Sequence, residues 1–252
     1  MKKIFIGLFS MLILLMYCNS GMAQNKTITW TTISEEAKKL AIKGANYMVN
    51  FESAQAYDVF KAALKLDPEF TIPLVFMATL TVGETQKNYI EKATKSAVNK
   101  TSGEKLFAST INPNITQVAY RQTWADLYDM FPDESLVGAY YVFTRLNSKQ
   151  QFIAGEDFIK KFPNEPSIYN IMGFLYLQLK KDTSTAKSFL EKYIELYPEG
   201  CNPYDSMGEF YFDIGDMVNA EKYYNMALEK YPFNISSMDK LKEIKSIKGK
   251  GK

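Results

Sequence analysis

From Ser34 to Ile247 apolar residues recur at three- and four-residue intervals, and prolines at positions 68, 132, 163, 198 and 232 interrupt them. Three-to-four spacing places apolar side chains on one helix face, so the chain predicts short amphipathic helices with regular stops. The clearest stretch surrounds Gly208: Tyr211 stands at +3, Ala220 at +12, Tyr224 at +16, Ala227 at +19 and Pro232 at +24. This describes two antiparallel helices. Small residues at the crossing let the backbones approach, aromatic residues fill the space to the next pair, and the proline ends the second helix by removing a donor and crowding the preceding turn.

The same span recurs along the chain. Gly44 to Pro68, Ala108 to Pro132 and Ala139 to Pro163 are also 24 residues, and Gly173 to Pro198 is 25. The first two prolines lie 64 residues apart, almost two periods, so a unit without its proline belongs between them. The expected units are 34–70, 71–101, 102–132, 133–164, 165–200 and 201–232. Ser34-Glu35-Glu36 reads as a helix start, with a capping hydroxyl followed by two acids facing the positive end of the helix. Helices are expected from there to about Asn50 and from Ser53 to Leu66. The unit without a proline has Leu74, Met77 and Ala78 on its first helix and Ile90, Ala93 and Ala97 on its second. Asn112-Pro113 shortens the first helix of the third unit. In the fourth, Ala139 stands where glycine would, with Gln151 and Gly155 at the later small and aromatic positions. In the fifth, an extra residue is expected near Lys181-Asp182. One more helix over 233–247, with Met238, Leu241, Ile244 and Ile247 in step, would cover the exposed face of the last pair. Residues 24–33 show no helical period and read as an arm, and 248–252 as a flexible basic tail.

This pattern resembles the tetratricopeptide repeat (TPR). The resemblance implies an all-α, right-handed superhelix of about six helix pairs with a C-terminal capping helix, whose first helices line a concave groove for a peptide or protein. The positions implied to face the groove are Ala41, Ala45, Met48 and Val49; Val75, Thr79 and Val82; Leu136, Tyr140, Phe143 and Thr144; Asn170, Phe174, Leu177 and Gln178; and Asp205, Glu209, Phe212 and Asp213. The lining thus passes from apolar through aromatic to acidic. Its expected partner-binding residues are Tyr140, Phe143, Asn170, Phe174, Gln178, Asp205, Glu209 and Phe212, the acids meeting a basic group of the partner. Family members that clamp a C-terminal carboxylate use Lys and Asn on this face. Only Lys105 and Asn170 are of those types here, which disfavours that role.

Composition narrows the chemistry. Lys2-Lys3, the apolar run Ile4–Tyr17 and Gly21-Met22-Ala23 are the three parts of a secretory leader, expected at 1–23. The run is shorter than the ~20 residues of a membrane span. Export to the periplasm or outside the cell is therefore expected, with membrane contact only if Cys18 is lipidated. Tyr17 stands where lipidation calls for a small residue. Without the leader's two lysines, 28 basic residues balance 28 acidic ones, and Arg121 and Arg145 are the only arginines, which argues against nucleic acid as partner. The chain has no histidine, so the commonest general base and metal ligand are both missing. Cys201 is the only cysteine beyond the leader, and stability must come from the core.

Other motifs read as structure. Glu35-Glu36 and Glu156-Asp157 are adjacent on helices, point apart and make poor acid–base pairs. Asp213-Ile-Gly-Asp216 lacks the closing acid of a calcium loop and reads as a helix–helix turn. Cys201, beside Asn202-Pro203, is expected to be buried between units. Asn25, Asn99, Asn114 and Asn234 head N-x-S/T triplets, which matter only in a glycosylating host. No nucleophile with a base, no metal set and no cofactor motif is found at an interpretable spacing. The expected function is a non-catalytic scaffold or adaptor for a protein partner. The alternative is a carrier or sensor for a small apolar ligand held among Tyr140, Phe143, Phe174 and Phe212.

Overall fold

A computed structural model describes residues 26–250. The expected leader and Cys18 lie outside the described residues. The chain runs α1 Glu35–Val49, α2 Ser53–Leu66, α3 Thr71–Leu80, α4 Gly83–Ala97, α5 Ser102–Ser109, α6 Gln117–Met130, α7 Ser135–Phe143, α8 Ser148–Lys161, α9 Ser167–Leu175, α10 Thr183–Leu196, α11 Asn202–Asp213, α12 Met217–Lys230 and α13 Ile235–Lys250. The described residues contain helices and no strand. Consecutive helices pair α1/α2 through α11/α12, and α13 packs on α12 and α11, so the described residues form an α-solenoid of six helix pairs with a terminal helix.

Several boundaries have a local cause. Ser34 accepts a hydrogen bond from the Ala37 amide at 3.1 Å and starts α1. Thr101 and Glu104 bond reciprocally at the start of α5, satisfying two otherwise free amides. Thr116, Asn147, Asp182 and Asp216 cap α6, α8, α10 and α12 with their side chains. The Asp213–Asp216 segment is therefore a helix–helix turn, with Gly215 at φ +83°. The residues before Pro68 and Pro232, Asp67 and Tyr231, are extended, as the proline ring requires of its predecessor.

The crossings are tight. A Cβ on Gly44 would stand 2.5 Å from the Phe60 ring, and one on Gly208 2.7 Å from Tyr224. The fourth unit differs from the register expected around Ala139. There Gly138 is the residue on which a Cβ would meet Phe158, at 3.0 Å, while Gly155 lies against Met172 of the next unit. The extra residue of the fifth unit widens the end of α9 into a π turn over Tyr176–Lys180, ahead of the expected place. Lys181 then turns the chain in a left-handed conformation, φ 56°. Helix α13 continues past Ile247, and Lys248 pairs with Glu221, so the first residues assigned to the tail belong to a helix.

The arm is ordered without being helical. Ile28 is buried and Trp30 packs edge-on against Phe70 at 6.3 Å. The Lys26 amide donates to Asp133, the Thr31 amide and hydroxyl to Glu104 at 2.9 and 2.8 Å, and the Ile33 amide to Asp67 at 3.1 Å. The solenoid also curls back on itself. Helix α1 packs against α7, and the turn between α1 and α2 reaches the junction of α10 and α11. Ala41, Ala45, Val49, Val75 and Leu136, expected to line an open groove, are consequently buried in the main core.

Candidate functional site

The turn that closes the solenoid builds one side of a cleft. Glu52 is buried, and its carboxylate accepts from the backbone amides of Cys201 and Asn202 at 2.6 and 3.1 Å and from the Tyr197 hydroxyl at 2.7 Å. A carboxylate at the amino end of α11 meets two amides that lack helical acceptors and the positive end of the dipole. The Tyr193 hydroxyl donates to the Asn50 carbonyl at 3.3 Å. Between these two anchored residues Phe51 adopts φ 61°, a conformation that is strained for a side chain with a Cβ, and its ring leans on Phe143 at 5.3 Å with nearly half its surface exposed.

The cleft, about 390 Å³, lies beside that ring. Its walls are Ser148 and Gln151 at the start of α8, Asn170, Ile171, Phe174 and Leu175 on α9 with Gln178 in the π turn, and Asn202, Asp205, Ser206 and Glu209 on α11. Asn170, Phe174 and Gln178 are four residues apart and share a face, as do Asn202, Asp205 and Glu209. Several polar groups are already engaged. Asn202 donates to the Tyr193 hydroxyl at 3.1 Å, Gln151 to the Phe143 carbonyl at 3.3 Å, and Asp205 accepts from Ser236 at 3.1 Å and from Ser237 of α13. Two groups are different. Asn170 is buried and its Oδ1 has no hydrogen-bond partner among the described residues. Glu209 is exposed and makes no ion pair among the described residues.

The acids respond to this setting. Although Glu209 keeps solvent-exposed surface, partial desolvation by its neighbours first, then Asp213 and Asp205, hold its carboxyl above the ordinary range, against the lowering influence of Lys240. Burial also raises Asp205, opposed by its bonds to Ser237 and Ser236. No lysine or arginine lines the cleft.

Five of the eight residues expected to contact a partner meet here: Asn170, Phe174, Gln178, Asp205 and Glu209. The other three lie elsewhere. Tyr140 stacks on Trp124 at 4.4 Å within the main core, and burial raises its phenol well above the ordinary range. Phe143 packs on Phe51 and Tyr140. Phe212 belongs to the small core under α13, where Lys240 sits 4.1 Å over its ring. The rings of the carrier reading are thus divided among three core groups. Sequence reasoning missed Phe51, Ser148, Gln151 and Asn202. Phe51 left a trace, an aromatic residue in a short helix–helix turn where no helical period places it.

A larger cleft of about 620 Å³ is lined by the arm, α1 and the start of α7, and none of the eight residues lines it. One of its acids is already served: the Glu165 carboxylate accepts from Ser135 at 3.0 Å. Burial raises the other, Glu134, above its ordinary range.

Comparison with known proteins agrees with this architecture. Residues 171–200, one helix pair, match the family "Tetratricopeptide repeat". No curated protein matches the chain. Among solved structures, the APC/C hetero-tetramer Cut9–Hcn1 is 18% identical with TM-score 0.50, over 83% of this chain and 42% of that one. The chain thus spans under half the length of that relative. PilW, described as a widely conserved type IV pilus biogenesis factor, is 12% identical with TM-score 0.47, over 82% and 99%. The first TPR of Spaghetti (RPAP3), bound to the HSP90 peptide SRMEEVD, is 21% identical with TM-score 0.39, over 44% and 87%. The fold is a TPR solenoid.

Proposed function

We propose that this chain is an exported, non-catalytic binding module of bacterial type, which holds a segment of a protein partner in the cleft between α8, α9 and α11 as scaffold or adaptor. The observation that carries this reading is the cleft itself, where four separate parts of the chain meet and Asn170 and Glu209 are left without partners among the described residues. A solenoid needs its small and aromatic residues for stacking, and what it leaves unspent on packing is available for recognition. The leader-like pattern over 1–23 supports export.

A photo-crosslinking residue at Gln178, compared with one at Glu229 on the exposed face of α12, tests the site in the native host. A covalent adduct of defined mass is expected from position 178 only. Equal adducts from both positions would remove the cleft from consideration. Sequencing of the mature N-terminus tests export separately, with a start near Gln24 expected and an intact Met1 contradicting it.

A further inference from the structure

We propose that the cleft is a cation pocket, which takes one lysine or arginine side chain from the partner's segment. This rests on the peptide-binding reading above and names the chemistry that reading lacks. Asp205 and Glu209 line the cleft with no basic side chain to balance them. Lys240, the cation that influences Glu209, is directed elsewhere: its ammonium lies over Phe212 and 3.0 Å from Glu243. Glu209 therefore lines the cleft without an ion-pair partner among the described residues, with Lys240 acting on it only at a distance.

The second observation is independent of charge. Asn170 is only 7% exposed, yet its Oδ1 lacks a donor. A buried acceptor without a donor is costly, and most native structures avoid it. A guanidinium or ammonium group brings several donors at once and satisfies Asn170 and Glu209 together. The remaining walls fit the rest of such a side chain. Ile171, Phe174 and Leu175 offer apolar surface to its methylene stem, and the exposed Phe51 ring offers a face to its charge. Phe51 is held in its strained conformation by the bonds of Asn50 and Glu52 to the α10–α11 junction, so the mouth is shaped before the ligand arrives.

The occupant is an extended, basic segment of a protein. The cleft is too small to admit a helix, and Asp205, tied to α13, contributes field while Glu209 makes the contact.

The test is a positional-scanning array of terminally capped peptides with arginine, lysine, citrulline or glutamate fixed at each position, probed with the full chain and with Glu209→Gln and Asn170→Ala. The wild-type chain is expected to prefer arginine or lysine over citrulline, the neutral isostere, by about tenfold at one position. That preference should shrink at least fivefold in Glu209→Gln and weaken with salt. Asn170→Ala should lose affinity while its thermal midpoint holds or rises, because a buried unpaired acceptor has been removed. Equal binding of arginine and citrulline peptides overturns the cation pocket and leaves peptide binding intact. Binding of none of the peptides by a chain with native circular dichroism overturns both. Agmatine competing at the affinity of the best peptide would assign the pocket to free small amines and overturn the peptide source.

Discussion

At Gly208 a single hydrogen atom decides how closely two helices cross. An added Cβ would lie 2.7 Å from Cδ1 of Tyr224, whose ring is fully buried and has no room to turn. Gly208→Ala is expected to cost about 1–3 kcal/mol, as overpacking does. Gly215→Ala, with nothing near its Cβ but φ at +83°, is expected to cost about 1–2 kcal/mol through backbone strain alone. Urea unfolding of the two variants checks both. Relaxation of the crossing would show in Gly208→Ala as a loss below that of Gly215→Ala. Cys201 provides a prediction in pH. It is buried, and burial, with Glu52 nearby, pushes its thiol up to about 12. Because the folded value lies above the unfolded one, its contribution is complete below pH 9 and is lost as pH rises from 9 towards 12. Native protein at pH 8 should react with a disulfide reagent at least about a hundredfold more slowly than the urea-unfolded chain, since both thiolate and access are lacking. A rate equal to that of the unfolded chain would show the thiol to be open.

Among the elements, the arm and the fifth unit show how irregular segments are held. The arm makes no hydrogen-bonded ladder, yet its amides at Lys26, Thr31 and Ile33 end on Asp133, Glu104 and Asp67. Hydrogen exchange should therefore find the Thr31 and Ile33 amides protected, though no helix contains them. Glu104 is wholly buried and serves both Thr31 and the Thr101 cap. Glu104→Ala is expected to abolish protection at Thr31 and to destabilise the protein by about 2–3 kcal/mol, the scale for losing bonds to a charged group. Fast exchange at Thr31 in the unmodified chain would sink this account of the arm. In the fifth unit one surplus residue becomes a π turn, and this places Gln178 on the cleft instead of leaving an open loop. The ten ion pairs among the described residues contribute less. Most join residues three or four apart on exposed helix faces, where such pairs are worth a few tenths of a kcal/mol.

Across the whole molecule the decisive contact is that of Glu52 with the start of α11, about 150 residues away in sequence. It ties the first unit to the junction of the last two and sets the Phe51 side of the cleft. Glu52→Ala leaves two amides and a half-buried hydroxyl without their acceptor, and a loss of about 3 kcal/mol is expected. Small-angle scattering should record a larger radius of gyration, as the first unit swings from the sixth. An unchanged radius would mean that the α1–α7 contact alone closes the solenoid.

Most of the solenoid was legible because its information is local. Ser34 as a cap, the helices of the first unit, the unit without a proline and the covering helix all follow from three-to-four spacing and from residues that start or stop helices. The register of the fourth unit was not legible, because Gly138 and Ala139 are both small and only the position of Phe158 distinguishes them. The groove was legible in part for the same reason. Repeat spacing shows which residues stand beside each glycine, and five of them do meet in one cleft. It says nothing of how tightly the superhelix coils. That coil puts Ala41, Ala45 and Val49 into the core, Tyr140 against Trp124, and Phe51 at the rim. By itself the sequence determined helix, turn and repeat, since these depend on neighbours a few residues apart. Only the tertiary structure decided what remains open to a partner, because that depends on small crossing angles summed over six pairs and on one carboxylate meeting a helix end from the far side of the chain.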